Sequence, residues 1–167
     1  LKKCKEIELK LKNIRIHIDD REGYTSGFKY NEWEMKGVPI RLELGPKDLA
    51  KEQVVLVRRD TGKKEFVQIK ELSNKIPEIL EEIQKNLFNK AKENLKNNTI
   101  EVKNIQEFKK GIQNKKMIKA LWCEKESCEE QIKNDADGAK SLNIPYEYKK
   151  VKGKCFHCGE PAEHYAI

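Results

Sequence analysis

Phe28-Lys-Tyr-Asn-Glu-Trp-Glu-Met-Lys-Gly-Val-Pro-Ile-Arg-Leu-Glu-Leu-Gly-Pro-Lys-Asp48 holds a strand and a candidate ligand site in one run. Phe28 to Met35 predicts a short helical turn, with Tyr30 and Glu34 four apart and so on one face. Gly37 and Pro39 punctuate the entry to a strand. From Val38 to Leu44 the pattern alternates: Val38, Ile40, Leu42 and Leu44 point one way, Arg41 and Glu43 the other. Gly45-Pro46 ends the strand, and Asp48 lies just beyond it. An aromatic ring, a carboxylate, an Arg and a second carboxylate thus converge at one end of a sheet.

That set suits a flat ligand with hydrogen-bond donors along its edge. Guanine presents N1–H and N2–H, which one carboxylate accepts as a pair, and unstacked RNA bases are read by such edge contacts plus stacking. The competing reading is an ordinary turn–strand–turn with surface charges.

Working outward, Ile14-Arg-Ile-His-Ile18 alternates and predicts a strand, closed by Asp19-Asp20-Arg21. His17 shares a face with Arg15 and reads as a solvated strand residue. Leu1 to Lys12 fits a helix end. Gln53 to Arg58 is a continuous apolar run, as in a buried strand, and Glu65 to Ile69 returns after an Asp60-Thr61-Gly62 turn as a hairpin. Lys75 to Leu95 is the clearest helix, with Ser73 as its cap and Pro77 in its first turn. Thr99 to Val102 predicts a strand, Ile105 to Ile112 a helix, and Met117 to Trp122 a strand. Tyr146 to Val151 predicts a last strand element. Alternating strands and helices before Cys123 argue for an α/β fold.

The chain has 167 residues, 38% of them charged, with net charge +7. Residues 1–70 carry net +5, residues 71–120 net +4, and residues 121–167 net −2. The basic part suits a polyanion bound through phosphate contacts, against the alternative of a Lys-rich genome. The acidic tail is a poor RNA binder. No apolar run is long enough to span a membrane and no signal peptide is evident, which implies a cytoplasmic protein.

Cys123-x4-Cys128 and Cys155-x2-Cys158 form two close pairs separated by a longer segment, the arithmetic of a four-thiolate zinc site. Four thiolates leave no open position, so such a site is structural. A disulfide framework needs an oxidising compartment. A redox Cys-x-x-Cys leaves Cys123 and Cys128 unexplained. His157 or His164 is the alternative ligand in place of one Cys. Cys4 reads as a plain helix residue.

The run Trp33 to Asp48, the preceding Asp19 to Tyr30, Val57-Arg-Arg-Asp-Thr-Gly62 and Gly138-Ala-Lys-Ser-Leu-Asn-Ile-Pro145 together resemble the C-terminal part of prolyl-tRNA synthetases of the archaeal and eukaryotic-like type. The resemblance covers nearly the whole chain. It implies a class II anticodon-binding domain over 1–115, with a mixed five-stranded sheet flanked by helices. A small α+β zinc-binding domain over 116–167 is implied to follow. It further implies that the chain begins after the domain's first strand and stops before a short extension ending in Tyr. The implied partners are tRNA(Pro) and the enzyme's own catalytic domain, in a homodimeric parent. Tyr30, Glu34, Arg41 and Asp48 match the positions that contact the two guanines ending proline anticodons. Cys123, Cys128, Cys155 and Cys158 match the zinc cysteines. No motif of ATP or proline chemistry is present here, so ATP and magnesium belong to the parent enzyme only and the fragment is not expected to catalyse. The alternative is a stand-alone zinc-containing RNA-binding module without ligase activity.

Overall fold

The computed structural model describes every residue except 12, 137, 147 and 148. The described residues fall into two compact units, Leu1–Lys90 and Ala91–Ile167. The pairing of Thr99–Val102 with Met117–Trp122 keeps the intervening helix in the second unit.

The first unit begins with α1 (Lys2–Lys10), followed by α2 (Ser26–Met35) and β1 (Ile40–Glu43). A short turn of helix, α3 (Pro46–Leu49), leads to the hairpin β2 (Gln53–Arg58) and β3 (Lys64–Gln68). The sheet is antiparallel in the order β1-β2-β3, with Leu42 opposite Leu56 and Leu56 opposite Glu65. A 3₁₀ turn (Ile69–Glu71) runs straight into α4 (Leu72–Asn98). The helix therefore starts before Ser73, and Pro77 sits inside it rather than in its first turn.

Helical spacing places Leu72, Ile76, Ile79 and Ile83 on one stripe of α4. That stripe packs with Val54, Leu56 and Val67 of the sheet and with Ile7 and Leu11 from the α1 end. Ile40, Leu42 and Leu44 join the same core, as the alternation predicts. The expected strand Ile14–Ile18 is not found among the described residues. Ile14 and Ile16 do pack against the core, so the alternation marks burial, but no ladder forms there among the described residues. His17 is exposed, as expected, and lies against the Trp33 ring with 4.4 Å between centroids.

In the second unit β4 (Thr99–Val102) is parallel to β5 (Met117–Trp122) and joined to it by α5 (Ile105–Gln113). Asn104 caps α5, its side chain accepting from the Glu107 amide at 2.9 Å. Gly111 lets the helix sit close on the sheet: a Cβ there would lie 2.8 Å from Ile118 Cδ1 and 2.9 Å from Ile100 Cδ1. The polar helix α6 (Glu126–Asp135) follows, with only Cys128 and Ile132 buried. A two-residue hairpin, β6 (Gly153–Lys154) and β7 (Pro161–Ala162), precedes β8 (His164–Ala166), which pairs antiparallel with β5.

The fold is mixed α/β with helices against sheets, as expected. Among the described residues the strands form two three-stranded sheets and one two-stranded hairpin, with β4 and β5 in one sheet with β8. Part of the expected strand Tyr146–Val151 lies outside the described residues. Among the described part no strand forms before Gly153.

Leu56 is fully buried at the centre of the first core, whereas Met35 is 79% exposed. Leu56→Ala is expected to cost about 2–5 kcal/mol of unfolding free energy, and Met35→Ala under about 0.5 kcal/mol. Urea denaturation followed by circular dichroism checks both.

Candidate nucleic-acid interface and metal centre

Thr25 begins α2 by accepting from the Phe28 amide at 3.3 Å. Gly37, at φ +85°, ends it. The Val38 amide reaches the Trp33 carbonyl and the Gly37 amide the Glu34 carbonyl, both at 3.1 Å, which is the Schellman pattern. The chain is thereby turned from α2 into β1 within four residues.

One buttress fixes the helix face. Asp19 accepts from Arg21 Nε at 2.9 Å and Nη2 at 2.7 Å, and from Trp33 Nε1 at 2.8 Å. Arg21 Nη2 also donates to Glu32 at 2.7 Å. The Arg21 and Trp33 donors hold the Asp19 carboxyl well below its ordinary pKa. The Arg21 pKa is raised in turn by Asp19 and then Glu32.

On this frame the structure brings together three of the four residues predicted from sequence. The Arg41 guanidinium lies over the Tyr30 ring, 4.1 Å from its centroid. It donates to the Glu34 carboxylate through Nη1 and to Glu43 through Nε at 3.0 Å. Burial works against the charge on Arg41, but the Glu34 and Glu43 bonds outweigh it and the pKa is raised. Arg59 Nε donates to the Glu34 carbonyl at 2.8 Å. Asp48 is engaged elsewhere. It accepts from the Gly45 amide at 3.2 Å and from Gln53 Nε2 at 3.3 Å, which ties α3 to the end of β1. Glu43, Gln53 and Arg59 were not expected as site residues, since polar residues at a strand and its hairpin carry no local signal. Nearby, Tyr24 and Phe28 stack with centroids 5.0 Å apart and are each about half exposed.

The four cysteines converge as predicted. Cys123 follows β5, Cys128 lies on α6, and Cys155 and Cys158 flank a knuckle after β6. Gly159, at φ +74°, closes that knuckle, its amide donating to the Cys155 carbonyl at 3.1 Å. The Phe156 amide donates to the Leu121 carbonyl at 3.0 Å and so fixes the knuckle to β5. All four sulfurs lie within 4.8 Å of one another, with Cys128–Cys155 at 3.8 Å and Cys123–Cys158 at 3.5 Å. Four thiolates about 2.3 Å from one tetrahedral ion stand about 3.8 Å apart, so the residues present fit a metal ion. Burial pushes the Cys128 thiol up. Burial also acts to raise Cys155, but backbone N–H groups of Cys158, His157 and Cys123 outweigh it and bring it down to about 7. Cys4 is half-buried on α1, outside this group.

His157 sits at the cluster's edge, with Nδ1 3.6 Å from Cys128 Sγ and Nε2 3.0 Å from Asp135 Oδ2. Asp135 was not anticipated, because α6 itself was not. His164 is engaged with Glu124.

Residues 2–79 match the family described as anticodon binding domain, and residues 105–167 match the family described as prolyl-tRNA synthetase, C-terminal. The proline–tRNA ligase of Oceanobacillus iheyensis is 46% identical over 98% of this chain, and that of Natranaerobius thermophilus 48% identical over 91%. The chain spans about a third of the length of these curated relatives, 34% and 31%. A crystal structure of prolyl-tRNA synthetase from Cryptosporidium parvum, complexed with L-proline and AMP, superposes with TM-score 0.89 at 43% identity. The match covers 99% of this chain and 36% of that one.

The Asp19 buttress makes a pH prediction. Its folded pKa lies below the unfolded value of 3.8, so its stabilisation is complete at neutral pH and declines as pH falls below about 4. Asp19→Asn is expected to flatten that acid-side loss for the first unit, as measured by urea midpoints between pH 7 and 3.

Proposed function

Since the chain carries the anticodon-binding domain and the C-terminal domain of the prolyl-tRNA synthetases, we infer that it is the tRNA-reading part of a proline–tRNA ligase. The observation that carries this is the Tyr30–Arg41–Glu34 cluster at the α2–β1 surface. It offers an aromatic face, a planar cation and a carboxylate, the chemistry that reads an unstacked guanine. The substrate is tRNA(Pro), whose anticodon ends in two guanines. Glu34 and Asp48 each accept an N1–H and N2–H pair, Tyr30 or the Arg41 plane stacks, and Arg41 donates to an acceptor edge or a phosphate. Net charge +5 over residues 1–70 supplies sequence-independent attraction to the RNA backbone.

ATP, magnesium and proline are handled by the rest of the ligase, in a cytoplasmic homodimer. The first unit is the RNA reader. The second is held by zinc on Cys123, Cys128, Cys155 and Cys158. When bound, the ion cross-links the end of β5, α6 and the β6–β7 knuckle and leaves no open position for catalysis. Among the described residues no helix is long and apolar enough to cross a membrane.

Glu34→Gln and Asp48→Asn are each expected to weaken a proline anticodon stem-loop by about 1–3 kcal/mol and to shrink discrimination against a guanine-to-adenine change. Fluorescence anisotropy measures this, and unchanged affinity and preference would sink the assignment. Asn at position 48 keeps one acceptor oxygen where Asp48 serves both the Gly45 amide and Gln53 Nε2, so urea denaturation of the variant is measured alongside to separate reading from folding.

Metal analysis of freshly reduced protein is expected to find about one zinc per chain. Cys155→Ser should lose it and expose the second unit to proteolysis while the first unit stays folded. A metal-free wild type with four alkylatable cysteines defeats the zinc reading.

A further inference from the structure

The four cysteines are unequal. Cys128 and Cys155 are buried, Cys123 is half-buried, and Cys158 is exposed. Beside them His157 keeps a side chain only 12% exposed. Its Nε2 lies 3.0 Å from the Asp135 carboxylate. A carboxylate only accepts, so Nε2 carries a hydrogen, and in the neutral imidazole the lone pair is then on Nδ1. That lone pair faces the cluster, 3.6 Å from Cys128 Sγ. A nitrogen about 2.0–2.1 Å and a sulfur about 2.3 Å from the same tetrahedral ion are separated by about 3.5 Å. Nδ1 therefore already stands from Cys128 at the separation of two ligands of one metal. Metal-bound imidazoles characteristically donate their other N–H to a carboxylate, which is the part Asp135 plays here.

We propose that the centre holds five potential donors for four positions. Cys158 is the exchangeable ligand, and His157, oriented by Asp135, takes its place on the metal when that thiolate is lost. The proposal rests on the reading of the cysteine cluster as a metal centre. Cys158 is the ligand whose departure is easiest, since it is exposed and follows His157 directly on the knuckle. Exchange needs only a movement within that knuckle and leaves Cys123, Cys128 and Cys155 in place. The bound set changes from four sulfurs to three sulfurs and one nitrogen, and the negative charge of the centre falls by one. Asp135 is a positioning residue: it touches the imidazole and not the metal.

The experiment uses purified protein loaded with zinc or cobalt(II). The variants are Cys158→Ser, His157→Gln, the double variant, Cys158→Ser with Asp135→Asn, and Cys155→Ser as the control that removes a buried ligand. Wild type and His157→Gln are expected to hold about one metal with equal affinity. Cys158→Ser keeps the metal, and its sulfur-to-cobalt charge-transfer absorption drops by about a quarter, one thiolate of four. The double variant loses the metal as Cys155→Ser does. Asp135→Asn in the Cys158→Ser background lowers affinity by about 10–100-fold, the usual effect of removing an imidazole's carboxylate partner. A second measurement avoids any folding defect of the serine variants. Iodoacetamide alkylates Cys158 in the loaded protein, the thiolate displacing iodide. Metal is retained in wild type and released from His157→Gln. The proposal is overturned alone if Cys158→Ser loses metal as fully as Cys155→Ser, if it and the double variant bind alike, or if alkylation of wild type releases the ion. A wild type that binds no metal overturns the metal centre itself and the proposal with it.

Discussion

The pleat of β1 is the constraint on which the first unit depends. Four residues, Ile40–Glu43, serve two surfaces at once. Ile40 and Leu42 face the core built by Val54, Leu56 and the stripe of α4. Arg41 and Glu43 face the other way, where Arg41 meets Tyr30 and Glu34. A shift of one residue in register would bury the guanidinium and expose the two apolar side chains. The core therefore holds the candidate site in place. Leu42 opposite Leu56 in the ladder fixes Arg41 opposite Val57, and with it the point at which the cation meets α2.

The second unit lacks an equivalent core. Its buried set includes two cysteines and three alanines among ten residues, so much of what is buried contributes little apolar area. Its segments are joined by backbone bonds from the knuckle to β5, by β8 closing on β5, and by the convergence of four sulfurs. A unit this polar needs a staple, and the ion that fits the cluster is one. The negative net charge of residues 121–167 agrees with a structural role and sets this part apart from the basic residues that precede it.

Local periodicity made much of this visible in the sequence. The stripe of α4, the alternation of β1, the β2–β3 hairpin and the two cysteine pairs all lie within short windows and were found where expected. What was not visible depends on distant partners. Ile14 and Ile16 alternate like a strand and pack against the core, yet among the described residues they join no ladder, and pairing is not visible in a local pattern. β8 pairs with β5 across more than forty residues, so its three residues gave no sign. Helix α6 buries only Cys128 and Ile132, a stripe too thin to stand out from its charges. Asp19 was read as a strand terminator, and its part in holding Arg21 and Trp33 appears only once the two loops meet. Of the four candidate RNA-reading residues, Tyr30, Glu34 and Arg41 adjoin through helix spacing and the pleat. Asp48 serves the turn beyond.

The pairing of Glu34 with Arg41 in the absence of RNA bears on what the site contributes. In the proposed reading a guanine that donates to Glu34 displaces the Arg41 donor already there, so only part of the gross energy of that contact is returned as affinity. The gain lies in discrimination. An adenine in the same place offers an acceptor where guanine offers N1–H, and it faces a carboxylate that cannot donate. Glu34 then either keeps Arg41 and excludes the base or is left without its donors, and both carry a cost. The rest of the affinity is proposed to come from stacking on Tyr30 or the Arg41 plane and from the basic charge of residues 1–70 acting on phosphates. In that reading the bulk of the binding strength and the base selectivity rest on different groups. Salt acts on the first and leaves the second largely untouched, because a carboxylate–base contact releases no counterion.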